Sequence, residues 1–182
     1  VIGDIKLYQS SHSFLLEDRT TNIRMDATKG GGAMWDVGCY SFHALQNLLG
    51  HEVETVYANS VLHEQNGVDL TTSVIATLNN GVQANIDCSF DMFEQNEVTI
   101  VGSKGRIHLK NAFRPDRAGH IGEIIIDTAN ETRTVFVSGD IYRLEIEFFE
   151  RLIKGEEDVA VQHQLSIQNI DLIKATYQSV AT

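Results

Sequence analysis

A carboxylate and a phenol stand four residues apart at Asp36 and Tyr40, just after the run Gly30-Gly31-Gly32. On a helix, that spacing sets the two groups side by side. Such a pair suits proton transfer at a hydroxyl, one group orienting the oxygen while the other exchanges its proton. Three consecutive glycines reach backbone angles closed to other residues, so a ligand or another stretch of backbone can come close. The predicted site is the mouth of this glycine-lined opening.

The helix that must carry the pair is readable in the residues that follow. Met34, Val37, Ser41, Leu45 and Leu48 form one stripe at helical spacing, and Asp36, Tyr40, His43 and Asn47 form a polar one. Gly50 fits a left-handed cap at its end. One face therefore packs and the other presents Asp, Tyr, His and Asn in a row. Taken alone, that row is also what a solvated helix face looks like; the glycines and bulky Trp35 favour a site. Around it stand further candidates for substrate contact. Arg24, in the loop before the glycines, reaches substrate or a cofactor phosphate, or else forms a surface salt bridge. Trp35 serves as a pocket wall or a packing residue. His43 lies one turn beyond Tyr40 and reads as substrate contact or as a hydrogen-bonded helix residue. His12, His63, His108, His120 and His163 show no ligand spacing, so no metal is expected.

Most of the remaining chain alternates with a period of two. Strands are predicted for Ile5 to Phe14, Val53 to His63, Leu70 to Leu78 and Val82 to Phe90. Asn79-Asn80-Gly81 provides a tight hairpin turn. Two further hairpins run from Glu97 to Lys110 and from Glu123 to Ser138, and two helices follow, one capped by Asp140 and ended by Gly155, the other from about Gln164 to Val180. Successive hairpins imply antiparallel neighbours. The expected architecture is α+β: an open, mainly antiparallel sheet with helices on one face. Because Ile75 and Thr77 alternate with Val74, Ala76 and Leu78, apolar residues fall on both faces; the outer one is expected to meet another subunit or domain, by self-association through the open sheet, unless helices cover both sides. Tyr142, opening the penultimate helix, is expected to face the core.

The chain has 182 residues, of which 42% are hydrophobic, and carries a net charge of −11. That supports one domain over residues 1–182 with a buried core. The acidic balance disfavours nucleic acid and anionic membrane surfaces, and no apolar run approaches the roughly 18 residues of a spanning helix. Cys39 and Cys88 are too few for a disulfide framework, so they read as reduced thiols in a cytoplasmic protein.

The stretch GGGAMWDVGCYSFHALQNLLG closely resembles the helix after the cofactor domain in the Gfo/Idh/MocA family of oxidoreductases. Supporting matches are Asn22 to Asp26, Gly67-Val68-Asp69, Cys88-Ser89-Phe90, Val101 to Gly105, and Tyr142 to Gly155. The resemblance implies a sheet like the catalytic domain of glyceraldehyde-3-phosphate dehydrogenase. It also implies hydride transfer between a sugar-like alcohol and NAD or NADP, with Asp36 positioning the hydroxyl and Tyr40 standing where many members have His. Asp-Val-Gly-Cys-Tyr looks most like the branch holding dimeric dihydrodiol dehydrogenase, xylose dehydrogenase and glucose–fructose oxidoreductase. Family members begin with a dinucleotide-binding domain carrying a Glu-Lys-Pro motif, and neither is present here. Gly31 and Gly32 would face the cofactor from this side, although the run lacks GxGxxG spacing. The chain is thus expected to be the substrate and oligomerisation domain of a larger enzyme, inactive alone. Two alternatives remain open: a non-catalytic sugar-binding or scaffold member, and a dimerisation module without a pocket.

Overall fold

The computed structural model describes residues 1–180. One eight-stranded sheet forms its centre, in the order β2-β3-β4-β1-β5-β6-β7-β8. The strands are β1 (Ile5–Leu15), β2 (Val53–Leu62), β3 (Asp69–Leu78), β4 (Gln83–Ser89), β5 (Asp91–Gly102), β6 (Gly105–Lys110), β7 (Ile121–Thr128) and β8 (Thr132–Ser138). The expected hairpins form two meanders, β2 to β4 and β5 to β8. What hairpin reading could not supply is their junction: β1 lies antiparallel to β5 but parallel to β4. A parallel pair needs a long crossover, and residues 16–82 provide it.

Alternation decides the faces. Val74, Ala76 and Leu78 on β3, with Ala84, Ile86 and Cys88 on β4, are buried on one side. Across the other side one register row reads Tyr57, Ile75, Asn85, Gln9, Thr99, His108, Ile125 and Thr134. The outer face is therefore polar in its middle and apolar only towards its edges, which corrects the expectation of two apolar faces. Composition along a single strand hides this, because Ile75 faces Asn85 on its neighbour.

The buried face is covered by α1 (Cys39–Leu49) and α3 (Val159–Val180). Tyr8 donates its hydroxyl to the Ser41 carbonyl at 2.9 Å, and Ser10 bonds Ser41 through their hydroxyls at 2.8 Å. These contacts fix α1 on β1. Asp69, 1% exposed, joins three elements at once. It accepts hydrogen bonds from Met34 N at 2.9 Å, the Thr72 hydroxyl at 2.7 Å and the Tyr177 hydroxyl at 2.6 Å. Both cysteines are free, with Cys88 buried.

α2 (Ile141–Lys154) is capped as expected, with Asp140 accepting from Tyr142 N and Arg143 N and Gly155 left-handed at φ 73°. Its apolar face is not packed away, however. No α2 residue is fully buried, and Tyr142 is half exposed rather than core-facing. The spacing reads an amphipathic helix correctly but cannot tell whether the same molecule covers it.

Candidate active site

Two departures from a plain loop and helix build the site. The chain before the glycines, predicted as polar loop, is folded into two 3-10 turns, Ile23–Met25 and Ala27–Lys29. Asn22 Oδ1 caps the first by accepting from Arg24 N at 3.1 Å, and Asn66 ties it to the body by donating to the Met25 carbonyl at 2.7 Å. The glycine run then folds back on these turns. Gly31 N donates to the Asp26 carbonyl and Gly32 N to the Arg24 carbonyl, both at 2.9 Å. A β-carbon at Gly31 would collide with those same carbonyls, and one at Gly32 with the carboxylate of Asp69. Gly31 and Gly32 thus lie against their own chain, not along the cleft described below.

After the glycines comes a π-helical turn, Met34–Gly38, before α1 begins. A π-turn carries an extra residue per hydrogen-bonded loop and is often found at functional sites. Here it sets Asp36 and Tyr40 towards one cleft. The buried stripe beyond it takes in Phe42 and Gln46, while Leu48 is 48% exposed, against the even spacing read from sequence.

The cleft has a volume of about 270 Å³. Arg24, Asp36 and Tyr40 all line it. Arg24 Nε donates to Asp36 Oδ2 at 2.6 Å, and its guanidinium lies 5.8 Å over the Phe14 ring. The Tyr40 phenol is pushed up from its ordinary value, first by burial and then by Cys39 and Asp36; Arg114 opposes the rise. Trp35 turns away to pack near Tyr177, with ring centroids 6.3 Å apart. His43 is exposed and outside the cleft; its carbonyl accepts from Asn47 Nδ2 at 2.8 Å.

Four ionisable lining residues escaped the sequence reading as site residues: His12, Glu94, Arg114 and Arg117. Arg117 donates to Glu94 at 2.8 Å, and Arg114 grips Asp116 with two bonds of 2.9 and 2.7 Å. That grip holds the Asp116 carboxyl below its ordinary range. Asn96 positions this far wall, accepting from Phe113 N at 2.7 Å through Oδ1 and from Ala112 N through its carbonyl. His12 is 7% exposed and forms part of the floor. Phe113 stacks on it at 4.9 Å and Tyr40 meets it edge-on at 5.4 Å. Burial lowers its pKa from 6.5 to about 4. One signal was available: His12 shares the inward face of β1 with Tyr8 and Ser10, where a polar ring needs a reason. Among the described residues no group of three His, Cys, Asp or Glu side chains could hold a metal. No described helix is long and apolar enough to cross a membrane.

The fold is that of a class of solved oxidoreductases. A 3-ketoreductase from Actinomadura kijaniata, in complex with NADP and TDP-benzene, superposes with a TM-score of 0.87 at 22% identity over 98% of this chain and 55% of that one. An aldose-aldose oxidoreductase from Caulobacter crescentus, complexed with glycerol, gives 0.84 at 17% identity, over 99% of this chain and 54% of that one. The family model described as the GFO/IDH/MocA C-terminal domain matches residues 1–108. The chain belongs to that family. It is 30% identical to D-xylose 1-dehydrogenase (NADP(+)) 2 of Haloferax volcanii over its whole length and 55% of that protein. It is also 32% identical to the trans-1,2-dihydrobenzene-1,2-diol dehydrogenase of Xenopus laevis over 59% of the chain and 32% of that protein. The chain spans about half the length of the first relative, or less of others.

Proposed function

We propose that residues 1–182 form the substrate-binding domain of an NAD(P)-dependent oxidoreductase acting on the CH–OH group of a sugar or polyol, and that this domain associates with itself. The observation that carries the reading is the meeting of Arg24, Asp36 and Tyr40 in one cleft. Asp36, held by Arg24, orients the hydroxyl. Tyr40, with its raised pKa, stays protonated at neutral pH and is set to donate a proton to a nascent alkoxide. In the oxidative direction it needs added positive charge close by, and within the cleft Arg114 acts in that sense.

The glycine run does not fit a dinucleotide. A pyrophosphate seats on free amides at a helix start, yet the Gly31, Gly32, Met34 and Asp36 amides are all bonded within the chain. On this reading Gly31 and Gly32 therefore take no part in holding the hydride carrier. Charge also narrows the substrate. Arg24, Arg114 and Arg117 are each paired with a carboxylate, so none of the guanidinium groups lining the cleft is left unmatched for a phosphate. That favours a free aldose or polyol over a nucleotide-linked sugar.

The test uses the full-length protein with D-xylose and NAD(P), followed by nicotinamide absorbance. Asp36→Asn and Tyr40→Phe should each lower turnover by about 10²-fold or more, the scale of a general acid–base contribution. Near-normal turnover in both would remove Asp36 and Tyr40 from the catalysis and leave the domain a binder or scaffold within the enzyme.

A further inference from the structure

His12 Nδ1 is buried and has no hydrogen-bond partner. Leaving a buried polar atom unmatched is costly, so a ring placed in that state on a cleft floor calls for a partner that arrives later. The Val37 backbone also acts on the ring, favouring its charged form against the burial that lowers its pKa. With the ring proton on Nε2, the neutral imidazole presents Nδ1 as an acceptor. The ring cannot swing away, because Phe113 stacks on one side and Asn96 fixes the Phe113 amide. Tyr40 covers it edge-on, yet Tyr40 is 47% exposed and no hydrogen bond holds its hydroxyl in place. Of the two rings against His12, Tyr40 is thus the less constrained.

We propose that His12 is a specificity-determining residue, accepting through Nδ1 a hydrogen bond from a hydroxyl of the bound polyol other than the one that reacts. The proposal rests on the sugar-site reading above. A ketone or hydrocarbon at that position would leave Nδ1 unmatched and bind more weakly.

The measurement is the imidazole nitrogen and tyrosine ring spectrum of the full-length protein labelled with [15N]histidine and [13C]tyrosine, titrated with D-xylose, D-glucose and glycerol. The His12 signal is assigned by its loss in His12→Phe. At least one of the three should shift Nδ1 as a neutral acceptor gaining a donor. His12→Phe should raise KM for that polyol roughly tenfold with kcat little changed, as for loss of one neutral hydrogen bond that binds ground and transition states alike. His12→Asn, whose Oδ1 stands near the place of Nδ1, should restore most of it. If the polyols move the Tyr40 ring signals and leave His12 unmoved, this inference fails and the site reading stands. If they move neither, both fail. A His12 signal already that of a bonded acceptor without polyol would mean a trapped water only, and would also overturn the proposal.

Discussion

Asp36 meets its partner through Arg24 Nε, on a pair that keeps roughly a third of its surface exposed. Exposed pairs add little to stability, so this one is better understood as an aiming device. Arg24→Gln should leave the urea midpoint nearly unchanged while lowering kcat/KM by about 10²-fold, the effect of a reacting group no longer held in place. Equal losses of stability and activity would reduce the arginine to a fold residue. His12 supports a prediction of the opposite kind. Its folded pKa of about 4 lies below the ordinary 6.5, so as pH falls through that window the unfolded chain takes up the proton first. Asp36 and Glu94 favour its charged form and Arg114 disfavours it, and burial outweighs them all. Stability present above pH 6.5 should therefore fall by roughly 3 kcal/mol towards pH 4. Urea unfolding across this range should be flatter in His12→Phe. Asp36 and Tyr40 were legible because one helix carries both. His12, Glu94 and Arg114 come from separate parts of the sheet and its loops, and no spacing along the chain brings such residues together.

Among elements, the junction of the glycine run, the π-turn, β3 and α3 depends on one carboxylate. Asp69→Ala would strip a charged acceptor from three donors, and each such bond contributes about 1.5–3 kcal/mol. The expected loss is about 3 kcal/mol or more, read by denaturant unfolding, with Asp69→Asn milder. A loss under about 1 kcal/mol would mean the junction is held by packing alone. The family resemblance takes in Gly67-Val68-Asp69 without saying what Asp69 reaches, because two of its partners, Met34 and Tyr177, lie far off along the chain. The helices themselves were readable from caps and periodicity. The π-turn was not, since one inserted residue changes direction without changing composition.

For the whole molecule, the uncovered outer face and the −11 charge pull against each other. Self-association through that face should appear in sedimentation equilibrium as a dimer that strengthens with salt, as screening reduces the repulsion. Ile75→Lys should weaken it; a monomer at every salt concentration would exclude the face as an interface. Hairpins made most of the sheet legible, since each pairs neighbours in sequence. The pairing of Leu7 with Gln83 is invisible to that logic. It also fixes an order of events. Each meander can assemble from nearby residues, but the strand between them must wait for partners some eighty residues downstream, and closing so long a loop is the slow kind of step. The cleft floor belongs to that strand. A folding intermediate with both meanders formed would therefore show most of the native sheet signal while still having no site, and recovery of ligand binding should trail recovery of β-structure on refolding.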